Sequence, residues 1–209
     1  MILKLRHGLK YYTINTALRS SYYELNDPLR FKNPRYCPLL SEKPHKFYEA
    51  WANLPSAIYE YIHYGITDDF RKSNLKYVLK TVSLAHKNHM TALGVPFGSS
   101  TLRLMKYPAQ STPKSGSIHL DFDFMTTVVG SMIVGKTDEY EFSYASKTFY
   151  GDIAQRHDPK FKALPHNGAY YRNADRYAIV VFTVPPNDFA ITDTLTVSQY
   201  YELTQAIKY

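Results

Sequence analysis

A single cysteine, Cys37, stands among the 209 residues, so no internal disulfide can form and nothing calls for an oxidising compartment. Apolar runs are short, and none reaches the roughly 18–20 residues that span a bilayer. The amino end, MILKLRHGLKYYTIN, starts basic but has no sustained apolar stretch, which argues against a secretory signal. Internal repeats and low-complexity segments are also missing. Acidic residues are in deficit, 18 against 25 Lys and Arg, for a net charge of +7. That excess is not gathered into a tract. Arg71, Lys72, Lys76, Lys80 and Lys87 recur at helical spacing and read as one solvated face. The charge suits a small anionic substrate, supports nucleic acid only weakly, and gives no reason to expect a membrane partner. The expectation is a soluble cytoplasmic protein of open oligomeric state.

A hydrophobic fraction of 44% over this length suits one domain, residues 1–209. It should divide into an irregular and helical region 1–99, a β core 100–189 and a C-terminal helix within 190–209. Twenty Tyr and eleven Phe suit pocket walls as well as a core. Pro28, Pro34, Pro38 and Pro44 disfavour helix early in the chain. Phe47, Trp51, Leu54, Ile58 and Ile62 predict helix over 45–64, interrupted near Pro55. A second helix is predicted over Ser73–Leu93, its apolar positions being Leu75, Val78, Leu79, Val82, Leu84 and Ala85. Gly94 and Pro96 should end it. His86 and His89 on this helix have no third ligand nearby and read as part of its exposed face.

From Ser100 the chain turns to β-branched and aromatic runs separated by Pro, Gly, Asn and Asp, the pattern of an antiparallel sandwich or barrel. Near the end, Thr196 followed by Gln199 reads as a capping box ahead of YYELTQAI.

Within the β region lies Ser117-Ile118-His119-Leu120-Asp121-Phe122-Asp123. Side chains two apart on a strand share a face, so His119 and Asp121 project together. An imidazole beside a carboxylate makes two parts of the facial triad that suits non-haem Fe(II). The third should come from a distant strand. His166, between Pro165 and Asn167, is the best candidate, and Arg176 follows ten residues later at the start of an apolar strand. Asp123 is either a hydrogen-bond partner of a metal ligand, a substrate contact, or a carboxylate bonded to backbone. His157, between Arg156 and Asp158, reads as a loop residue and not a ligand.

On these residues the stretch Thr101–Pro186 resembles the 2-oxoglutarate/Fe(II)-dependent oxygenase superfamily, in particular its isopenicillin N synthase-like branch. The matching segments are Leu102–Pro108, Gly116–Thr127, Tyr150–Ile153, Lys162–His166 and Arg176–Pro185, and the tail from Thr196 resembles that branch's closing helix. The resemblance implies a double-stranded β-helix (jelly-roll, cupin-like) core. It implies Fe(II) on His119, Asp121 and His166, with 2-oxoglutarate and O2 as cosubstrates. Arg176 would pair with the far carboxylate of 2-oxoglutarate, and Tyr107 would add a hydroxyl. A small or medium organic substrate would be oxidised, most simply by hydroxylation, with release of succinate and CO2. One position departs: Ala178 stands where the family carries a serine that also bonds 2-oxoglutarate. Two alternatives stay open, an isopenicillin N synthase-type iron oxidase that uses no 2-oxoglutarate and a catalytically inactive β-barrel that only binds a ligand.

Overall fold

The computed structural model describes residues 33–38, 40, 69–109, 118–134, 140–167 and 174–206. The helix expected over 45–64, the residue Ser117 and the tyrosines at 22, 23, 170 and 171 lie outside them. In chain order the elements are α1 (Asp69–Ala92), β1 (Ser99–Tyr107), β2 (Met125–Val134), β3 (Tyr140–Tyr150), α2 (Asp152–His157), β4 (Asp175–Val184), β5 (Ala190–Thr192), β6 (Leu195–Thr196) and α3 (Val197–Ala206).

Helix α1 buries Leu75, Val78, Leu79, Val82, Ala85 and Met90. Leu84, expected with them, is 48% exposed because it falls off that stripe. Lys76, Lys80 and Lys87 do form the solvated face. The helix ends in a Schellman motif: Val95 N–H bonds the Met90 carbonyl at 2.9 Å and Gly94 N–H that of Thr91 at 3.0 Å. Gly94 takes φ +73, a conformation that favours glycine. At the other end of the chain, Thr196 N–H donates to Gln199 Oε1 at 2.8 Å and Gln199 N–H to Thr196 Oγ1 at 3.4 Å, the reciprocal bonds of the expected capping box.

The main sheet is antiparallel throughout, in the order β1-β4-β2-β3. The first and last of these strands are therefore neighbours. Between β1 and β2, and again between β3 and β4, the chain leaves the sheet. On these two excursions His119 and His166 pair in an antiparallel bridge. An antiparallel sheet whose first and last strands are neighbours, with a bridge between its two connections, fits the double-stranded β-helix (jelly roll) expected from the sequence.

The sheet's two faces differ in chemistry. Tyr107, Ala178, Val180 and Phe182 cluster on one, with Met105 and Val128 packed against them. Helix α1 lies over the other, where Ser100, Thr127 and Thr183 are buried. Those hydroxyls meet His86, which is 0% exposed, not on the solvated face expected for it. Its Nδ1 lies 2.7 Å from Thr183 Oγ1 and its Nε2 2.7 Å from Thr127 Oγ1. The steps Leu75, Leu79, Val82, His86, Met90 already placed it on the buried stripe. Burial holds its pKa down at about 3, so the ring is neutral.

Candidate metal centre

His119, Asp121 and His166 each offer a ligand atom, and the three atoms lie within 4.8 Å of one another. Segment 119–124 is a bridge and a bend, not the continuous strand expected of it. The convergence holds all the same. His119 Nε2 is 3.7 Å from Asp121 Oδ1, and His166 Nε2 is 3.6 Å from Asp121 Oδ2. Two atoms about 2.1 Å from one ion at a right angle lie about 3.0 Å apart, so each imidazole–carboxylate pair is within an ångström of a ligating separation. The backbone fixes both imidazoles: His119 N–H donates to the His166 carbonyl at 2.9 Å, and His166 N–H returns the bond at 3.0 Å.

Each side chain is also oriented. His166 Nδ1 donates to the Leu164 carbonyl at 2.9 Å. A carbonyl can only accept, so the proton sits on Nδ1 and the Nε2 lone pair is free for a metal. The Phe149 ring stands edge-on to His166 at 4.9 Å. Thr126 Oγ1 donates to Asp121 Oδ2 at 2.8 Å and sets the carboxylate plane. From below, Asp152 N–H donates to the Asp121 carbonyl at 2.7 Å. The side chain of Asp121 is 12% exposed, that of His166 21% and that of His119 35%, so the donor set is open on one side. Two imidazoles and a carboxylate converging on one point fit a divalent iron.

Arg176 and Tyr107 come together on this face. They are partners in the β1–β4 register, and the Arg176 guanidinium carbon sits 4.0 Å from the centre of the Tyr107 ring. The Tyr107 hydroxyl donates to Met105 Sδ at 4.0 Å. Ala178 is buried and faces Ser131 across the β2–β4 pair. Ser131 was not singled out from the sequence. An irregularity between Val128 and Gly130 shifts the alternation of β2 and turns Ser131 to the side of Ala178.

Asp123 is buried and accepts from the Tyr201 hydroxyl at 3.4 Å. Burial, with Asp121 close by, pushes its carboxyl up to about 8. His157 closes α2 instead of lying in a loop, and its ring packs on Phe189 at 4.9 Å, outside the cluster of three ligands. Thr126 was missed as well, since nothing in a Met-Thr-Thr-Val run distinguishes one hydroxyl from the next.

No family model matches the chain, and neither does any curated protein. Among solved structures it is similar to a Shewanella oneidensis protein described as a candidate oxygenase (12% identity, TM-score 0.47, 87% of this chain and 94% of that one). It is also similar to Neurospora crassa T7H in complex with alpha-KG and thymine (16%, TM-score 0.46, 68% and 59%). A third is Arabidopsis thaliana DAO1, a dioxygenase for auxin oxidation, with 2-oxoglutarate (17%, TM-score 0.44, 67% and 62%). The chain spans about three fifths of the length of the latter two. Every one of these TM-scores lies below 0.5.

Proposed function

We propose that this chain is a non-haem Fe(II) oxygenase of the isopenicillin N synthase-like branch that consumes O2 and 2-oxoglutarate and hydroxylates a C–H bond of a small or medium organic substrate. One observation carries the reading: His119, Asp121 and His166, drawn from two distant segments, present three ligand atoms within 4.8 Å. Bound iron would supply activation of O2, with the 2-oxo acid oxidised to succinate and CO2.

The residues divide the remaining work. His166 gives Nε2 to the metal while its Nδ1–H, held by Leu164, stops the ring from turning. Asp121, steadied by Thr126, would hold the ion with one carboxylate and offset part of its charge. Arg176 offers a planar fork to the far carboxylate of 2-oxoglutarate, and the Tyr107 ring, 4.0 Å away, helps to position it. Ser131, across from Ala178, supplies the hydroxyl that residue 178 lacks. Val180, Phe182 and Phe149 keep that wall apolar and exclude water from the reacting side. An anionic substrate fits the net charge of +7.

Ala178 favours one other reading, an iron oxidase that needs no 2-oxo acid. Anaerobic addition of Fe(II) and then 2-oxoglutarate separates the two. The proposal expects a weak charge-transfer absorption in the green and slow succinate release when air enters, both abolished in H119A and H166A. Iron uptake without the absorption would favour the oxidase. A chain that takes up no iron would leave only a ligand-binding barrel.

A further inference from the structure

Among the described residues, two arginines project from the sheet face that carries the metal cluster. Arg176 has a role in the reading above; Arg103, in the middle of β1, has none. Arg103 pairs in register with Val180. It therefore shares a face with Met105, Tyr107 and the buried strip Ala178–Val180–Phe182. Its guanidinium carbon lies 4.7 Å from the centre of the Phe182 ring. Phe182 in turn faces Thr126 across the β2–β4 pair, and Thr126 holds Asp121. From β1 over β4 to β2 is two strand spacings, about 10 Å. One aromatic ring thus stands between the guanidinium and the residue that orients the metal carboxylate.

Among the described residues, Arg103 makes no ion pair, and its guanidinium acts on Asp123 and Tyr201 only at longer range. The side chain is exposed, and no carboxylate among the described residues lies within ion-pair distance of it. Asp123 feels the guanidinium only through space, its carboxyl being buried and bonded to Tyr201. The contact with Phe182 is a cation–ring contact and commits none of the guanidinium N–H groups to an ion pair. Apart from Arg176, a further cation on this face among the described residues is Lys147, on β3, three strands away.

We propose that Arg103 binds the carboxylate of the substrate, so that the substrate is an organic monocarboxylate whose apolar body lies along Phe182, Val180 and Met105 toward the metal cluster. A guanidinium edge matches a carboxylate with two parallel hydrogen bonds. One isolated positive charge balances a monoanion; a phosphate dianion calls for more donors than this wall carries. The inference rests on the oxygenase reading and names the substrate class of that site.

The test uses protein loaded anaerobically with Fe(II) and 2-oxoglutarate. It is titrated calorimetrically with 3-phenylpropanoate, 4-phenylbutanoate and octanoate, with their primary amides, and with phenyl phosphate. The expected result is at least one acid binding about tenfold or more tighter than its amide, a preference that R103Q removes and R103K keeps in part. Acids no tighter than amides, a preference that survives R103Q, or phenyl phosphate tighter than every acid would overturn the assignment. Metal content tells the two failures apart. One iron per chain with acid and amide equal removes Arg103's role alone, whereas no iron uptake removes the oxygenase reading and this inference together.

Discussion

Among the described residues, Thr126 alone hydrogen-bonds the Asp121 carboxylate with its side chain, and both imidazoles face Asp121. Partners of this kind typically contribute one to two orders of magnitude to metal affinity. T126V should therefore raise the metal dissociation constant about 10–100-fold in competition with a chromophoric chelator, and T126S should restore most of it. Ser131 makes a separate prediction. Losing a hydrogen bond to a charged group costs about 1.5–3 kcal/mol, so S131A should weaken 2-oxoglutarate binding about tenfold or more while iron uptake stays at one per chain. Gly151 is a third case. A Cβ there would stand 2.2 Å from the Asp123 carbonyl oxygen and 2.7 Å from that of Asp121, and backbone does not swing aside as a side chain would. G151A should destabilise the fold by about 1–3 kcal/mol, read as a lower urea midpoint, and displace the metal-binding segment as it does so.

Helix α1 is attached to the sheet by a polar pin as well as by apolar packing. His86 bridges Thr183 and Thr127, and these continue to Ser100 and Thr148 at 2.6 Å each. Burial lowers the His86 pKa from 6.5 to about 3, while the unfolded chain keeps the ordinary value. Above about pH 6.5 the neutral ring contributes fully. Below it the unfolded chain takes up a proton that the folded one refuses, and stability falls by about 1.4 kcal/mol per pH unit down to about pH 3. His89, whose pKa burial also lowers, acts with the same sign. Urea midpoints at pH 7.5 and 5.5 check this. The wild type should lose about 1.4 kcal/mol more than H86Q over that interval, and an equal loss in both would mean that His86 carries no part of the slope.

Across the whole molecule, the bridge between His119 and His166 ties the β1–β2 connection to the β3–β4 connection at the candidate metal cluster. An ion that binds the folded chain and not the unfolded one stabilises it by mass action, about 2.7 kcal/mol at a hundred times the dissociation constant. Anaerobic Fe(II) should therefore raise the melting temperature, a chelator should reverse the rise, and H166A should show no rise. No helix among the described residues is long and apolar enough to cross a membrane.

The sequence by itself determined what depends on near neighbours. The Thr196–Gln199 cap, the stop at Gly94, the solvated lysines of α1 and the β-rich run after Ser100 all follow from contacts within a few residues or from strand alternation. His119, Asp121 and His166 were legible too, because the chemistry of the facial triad restricts the residue types so narrowly. Only the tertiary structure decided the rest. It buried His86 under α1, turned Ser131 toward Ala178 through an irregularity in β2, and chose Thr126 over Thr127 to hold Asp121. Each of those outcomes depends on which face of a strand meets which layer. Face assignment is set by pairing register between segments far apart in the chain, and a one-residue shift reverses it.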